Sequence, residues 1–147
     1  MGKRAVILLV LVSLLVGVMG AGASASPRED FSLVKTCMSL TPGMEANACD
    51  ISGAIGEMAM FNGGWIVYQD RVYWEKGDKV REIARVHLVT TSGDTLRGQI
   101  RWLDDHGMFT FSKGTGTAAG LHANGVIEYV GAAADGRAVF SLTGTYH

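Results

Sequence analysis

Residues 109–129 read FTFSKGTGTAAGLHANGVIEY, two alternating stretches around a loop with glycines at Gly114, Gly116 and Gly120 and a fourth, Gly125, just inside the second stretch. Alternation of apolar and polar side chains is the period of a half-buried strand, so Phe109, Phe111, Ile127 and Tyr129 fall on one face. Gly114-Thr115-Gly116 with Gly120 resembles a dinucleotide fingerprint only superficially. The third glycine comes one position late, and the pattern runs into a strand where a nucleotide loop must open a helix. The loop is therefore expected to be a tight seam of a β-structure, where glycine takes positive φ without strain.

The rest of the chain has the same period. Beyond the leader described below, no segment shows sustained helical spacing, there are only two prolines, and Gly-Asp, Asp-Gly and Ser-Gly pairs punctuate the alternation. Strands are expected near Phe31–Ser39, Asp50–Phe61, Trp65–Trp74, Lys79–Thr91, Thr95–Leu103, Met108–Lys113, Asn124–Val130 and Arg137–Tyr146.

Turn parity tests this assignment, because a one-residue slip moves every side chain to the opposite face. A loop Ser92-Gly93-Asp94 sets Val86 against Ile100 and Ala84 against Trp102. A loop Asp104-Asp105-His106-Gly107 sets Trp102 against Phe109 and Ile100 against Phe111. A turn through Gly131–Gly136 sets Ile127 against Phe140, Tyr129 against Ala138 and Gly125 against Leu142. One continuous apolar face results, which must curl or find a partner sheet, and closure also removes exposed edges. Consecutive short hairpins favour a single all-β domain over residues 26–147, an antiparallel up-and-down β-barrel of calycin type with about eight strands, over a sandwich.

Ahead of that domain, Lys3 and Arg4 precede an apolar run from Ala5 to Met19 and then Ala21-Gly22-Ala23-Ser24-Ala25. Residues 1–25 thus read as a signal peptide, since the run is shorter than the roughly 20 residues a spanning helix needs and has no basic stop-transfer flank. The expected destination is the periplasm or the exterior, with no stable membrane anchor after cleavage. Without Lys3 and Arg4 the 13 basic residues become 11 against 14 acidic, a formal charge of −3, which gives no reason to seek nucleic acid. Cys37 and Cys49 are the only cysteines, and an even count in an exported chain points to one disulfide. Their spacing is not that of a redox or zinc pair, and no metal or cofactor motif occurs elsewhere.

KGTGTAAGLHANGVIEY followed by GRAVFSLTGTYH resembles the closing strands of the allene oxide cyclase and dirigent-type barrels. The matching positions are Gly114, Thr115, Gly116, Ala119, Gly120 and Gly125, with Lys113 standing where a glycine is more usual. The resemblance covers the C-terminal part only. It implies an eight-stranded barrel, often trimeric, around an apolar cavity for a hydrophobic substrate or ligand, and hence a homo-oligomer, dimer or trimer.

Candidate site residues follow from the faces. Trp102, Phe109, Phe111, Tyr129, Phe140 and Tyr146 line the apolar face, where such side chains either fill a small barrel or, interleaved with Gly98, Gly125 and Gly144, leave a pocket for a ligand. On the opposite face parity sets Arg85 against Arg101 and His87 against Gln99, with Arg97 one step further on. Like charges so opposed cost stability unless they splay into solvent or share an anion, for which arginine offers bidentate contacts. Glu128, facing outward by parity, and His122, in the glycine-rich loop, are the catalytic candidates by residue chemistry, as base and acid.

The expected function is binding of a small hydrophobic ligand, without cofactor. The alternatives are a cyclase or isomerase that shapes its substrate without a conspicuous motif, and a secreted structural or interaction protein of dirigent type. A lumen of roughly 300 Å³ or more would favour a ligand, and an ionisable group facing that lumen would favour an enzyme.

Overall fold

The structure is a computed structural model that describes residues 27–38 and 48–147; the signal sequence expected at 1–25 and the end of the first expected strand at Ser39 lie outside them. Eight strands, β1 (Glu29–Cys37), β2 (Ala48–Ser52), β3 (Trp65–Lys76), β4 (Lys79–Val89), β5 (Thr95–Leu103), β6 (His106–Gly114), β7 (Ala123–Ala132) and β8 (Ala138–Tyr146), pair in sequence order into a closed antiparallel barrel. β1 pairs with β8 along its whole length, from Glu29 opposite Tyr146 to Cys37 opposite Ala138. Among the described residues no helix is long and apolar enough to cross a membrane.

The expected strand Asp50–Phe61 is corrected. β2 stops at Ser52, and Gly56–Phe61 forms a 3₁₀ turn that buries Met58 and Phe61 in the core. Gly53 and Gly56, both at positive φ, break the extended run. Asn62 then holds the segment by a two-way bond to Ala54, its Oδ1 accepting from the Ala54 N–H (2.7 Å) and its Nδ2 donating to the Ala54 carbonyl (2.9 Å).

The inward phase was assigned correctly but each of the expected registers is displaced by two residues. Ala84, not Val86, faces Ile100, because the turn is closed one residue earlier on each strand, by Thr90 opposite Asp94: the Thr90 N–H donates to the Asp94 carbonyl (2.9 Å) and the Thr90 hydroxyl accepts from the Asp94 N–H (3.0 Å). Consequently Arg85 faces Gln99 rather than Arg101, His87 faces Arg97 rather than Gln99, and Arg101 faces Ile83. Between β5 and β6 the loop is Asp104-Asp105 alone. Asp104 adopts the left-handed φ of 54° expected of Gly107, and its side chain accepts from the Val80 N–H (3.2 Å). Ile100 therefore faces Phe109, and Trp102 faces Gly107. In the last hairpin a bulge between Tyr129 and Gly131 sets Ile127 against Leu142, Tyr129 against Phe140 and Gly125 against Gly144. A shift of two preserves the face, so the core survives the error.

That core fills most of the barrel. Phe31, Leu33, Ile66, Leu88, Phe111 and Leu142 are among the side chains removed from solvent. Cys37 and Cys49 face each other across β1 and β2 and form the expected disulfide. Tyr146 ties the chain together near the 3₁₀ turn: its hydroxyl donates to Glu29 Oε2 (2.6 Å) and accepts from the Glu57 N–H (3.2 Å).

Candidate ligand cavity at one mouth of the barrel

β1 alternates Phe31, Leu33, Lys35 and Cys37 inward, so a lysine occupies a slot otherwise filled by apolar side chains. Lys35 is 4% exposed. Its ammonium donates to the Tyr68 hydroxyl at 2.7 Å and lies over the Phe140 ring at 4.6 Å from the centroid. Among the described residues no carboxylate pairs with it. A buried charge is costly without a counter-charge, and aromatic faces recover only part of that cost.

β3 supplies the second cation by an irregularity. Tyr68 faces Val86 and Asp70 faces Arg85, leaving Gln69 as the extra residue of a β-bulge. The bulge reverses the strand's phase, so Arg71 turns inward opposite Ala84 while Val72 becomes 61% exposed. The Arg71 guanidinium stacks on the Tyr68 ring at 4.3 Å, and its Nε lies 2.8 Å from Glu82 Oε1. The N–H is not aimed along that short contact, so Nε remains a buried donor without a hydrogen bond, and the pair is held by charge alone.

These residues surround a half-open cavity of about 210 Å³, walled by Tyr73, Val80, Ile100, Trp102 and Phe140 besides Lys35, Tyr68, Arg71 and Glu82. Two cations face one carboxylate, so the cavity carries a net positive charge. The Tyr68 oxygen already accepts from Lys35, which leaves its proton to be donated inward. Trp102 is fixed from both sides. Its indole N–H donates to the Asp104 carbonyl (2.9 Å), and Gly107 lies beneath it, where an added Cβ would come within 2.6 Å of the ring.

Of the aromatic candidates, the cavity brings together Trp102 and Phe140. Tyr129 does not line the cavity; it is 56% exposed and lies edge-on to Phe140 at 5.5 Å. Phe109, Phe111 and Tyr146 are packed core, with Phe109 against both Phe31 and Phe111. Glu128 is exposed on the outer wall opposite His106, remote in register from the lumen. His122 is exposed as well, stacked on His147 at 5.3 Å. Among the described residues no cluster of three or more His, Cys, Asp or Glu is arranged to hold a metal.

The glycine-rich loop is internally satisfied. Asp94 Oδ2 accepts from the Thr117 N–H (3.1 Å) and hydroxyl (2.8 Å), and a Cβ on Gly116 would overlap the Asp94 carboxylate. A carboxylate of the chain itself thus occupies the place where a phosphate loop would hold its anion.

Comparisons with protein-family models, with curated proteins and with solved structures find no match for this chain. Fold and site together define a closed eight-stranded antiparallel barrel with one small cationic cavity at its mouth.

Proposed function

We propose that the barrel binds a small organic acid, one carboxylate on a compact apolar or aromatic body, in the cavity around Lys35. The observation that carries this reading is the buried Lys35 ammonium, which has a hydroxyl and two aromatic faces around it and, among the described residues, no carboxylate paired with it. A ligand carboxylate would supply the missing counter-charge and accept from the Tyr68 hydroxyl, while Trp102 and Phe140 cover the apolar body. At about 210 Å³ the cavity is smaller than the roughly 300–1,000 Å³ of drug-sized sites, so a single ring or short chain suits it better than a long lipid.

A second reading, a cyclase or isomerase related to the allene oxide cyclase and dirigent barrels, is favoured by Glu82 and Tyr68 facing the same lumen. There the cavity would shape a reactive acid, with Glu82 exchanging a proton and Tyr68 donating one. Export is part of the proposal, and the Cys37–Cys49 bond supports it as compatible with an oxidising compartment.

A thermal-shift series of aromatic and short aliphatic acids beside their neutral amides tests the binding reading. At 100 times its dissociation constant a true ligand stabilises by about 2.7 kcal/mol, and only the acids should do so. Conversion of a bound acid to an isomer would move the assignment to the enzyme.

A further inference from the structure

The outer wall of β3–β6 carries a groove of about 500 Å³ that is separate from the lumen. Two β-bulges frame it. Gln69 is the extra residue in β3 and Ser112 the extra residue in β6, and both line the groove. Bulges bend and twist a strand locally and re-aim its side chains. Gly98 draws the strands together, since an added Cβ would fall 2.0 Å from the Thr110 carbonyl oxygen.

Across that hollow His87, Arg97 and Lys113 stand side by side on adjacent strands, His87 opposite Arg97 and Arg97 opposite Lys113. Arg85 lines the same groove and is paired to Asp70. Arg97 and Lys113 make no ion pair among the described residues, and no carboxylate lines the groove. Like charges in direct cross-strand register, as Arg97 and Lys113 are, are destabilising. Burial first, and then the neighbouring Arg97 guanidinium, hold His87 below its ordinary titration range.

We propose that this groove is a second binding site, for the tetrahedral oxyanion of a phosphate or sulfate ester, held by Arg97 and Lys113. Guanidinium and ammonium contact the anion, and the Gln69 amide and Ser112 hydroxyl are placed to bond the hydroxylated group that carries it. The chain's slight overall acidity makes the local concentration of cations a feature of this groove rather than of the surface at large.

Amide chemical shifts of the labelled protein, titrated with inorganic phosphate and with inorganic sulfate at an ionic strength fixed by sodium chloride, test this. Saturable shifts centred on Gly98, Gln99 and Ser112 are expected, with whichever anion binds more tightly indicating the ester. Both Arg97→Gln and Lys113→Gln should weaken binding at least fivefold. The two positions are exposed, so the variants should unfold within a few degrees of the parent, and either one alone serves if the other fails to fold. Shifts reproduced by chloride alone, shifts centred on the Trp102 indole instead, or undiminished binding in the variants would overturn the proposal.

Discussion

The Lys35 ammonium donates to the Tyr68 hydroxyl across 2.7 Å, joining β1 to β3 inside the barrel by a bond that satisfies one donor and neutralises no charge. Every other charged side chain of the cavity has an opposite charge beside it, Arg71 against Glu82. Selection for stability alone would place an aliphatic residue at position 35, as at Leu33 one step earlier.

Lys35→Met should therefore leave the ligand-free protein as stable as the parent, or up to about 2 kcal/mol more stable, because an unpaired buried charge is exchanged for an apolar chain of similar length. Urea denaturation at neutral pH measures it. A loss of several kcal/mol would mean that the ammonium holds the fold together.

Gly107→Ala should destabilise by about 1–3 kcal/mol, since the new methyl group would press on the Trp102 ring and on Ile127 at a fully packed position. The displaced indole would also narrow the cavity, so affinity for any bound acid should fall in the same variant. Unchanged unfolding and unchanged affinity would contradict the placement of Trp102.

Removing the Cys37–Cys49 bond, by reduction or by paired Cys→Ser substitution, should cost about 3 kcal/mol through the restored freedom of the unfolded chain across a separation of 12 residues. Comparing thermal unfolding with and without reductant reads this directly.

Acid should loosen the seam at the glycine-rich loop. The backbone hydrogen bond from Thr117, followed by that from its hydroxyl, holds the Asp94 carboxyl below its ordinary value of 3.8. A depressed folded value means that the linked stability is fully present above the unfolded value and is lost as pH falls through the folded one. Asp94→Asn should thus flatten the decline in stability below about pH 4 while leaving the profile near neutrality parallel to the parent's. Denaturation midpoints from pH 7 to pH 2.5 measure both slopes.

The alternation around Phe109–Tyr129 made the barrel and its inward face legible in the sequence. Register escaped it for a local reason: Asp104 takes the left-handed position expected of a glycine, and Thr90 closes the preceding turn against Asp94 through both its N–H and its hydroxyl. The site was harder. Lys35 in the phase of Phe31, Leu33 and Cys37, and Glu82 in the phase of Val80, Ala84 and Val86, were signals present in the alternation, each a charge in an apolar slot. Arg71 carried no such signal, because its inward turn depends on the bulge at Gln69, and an unbroken strand would have pointed Val72 into the lumen instead. The aromatic candidates divided by depth along the barrel, Trp102 and Phe140 at the mouth and Phe109, Phe111 and Tyr146 in the filled interior, and parity fixes a face without fixing depth.

The central claim is that the Lys35 charge selects a carboxylate, and calorimetric titration of the parent and of Lys35→Met with phenylacetate and with phenylacetamide tests it most directly. The parent should bind the acid saturably and at least tenfold more tightly than the amide, and Lys35→Met should lose that preference. Equal affinity for acid and amide, or an acid preference that survives in Lys35→Met, would contradict it.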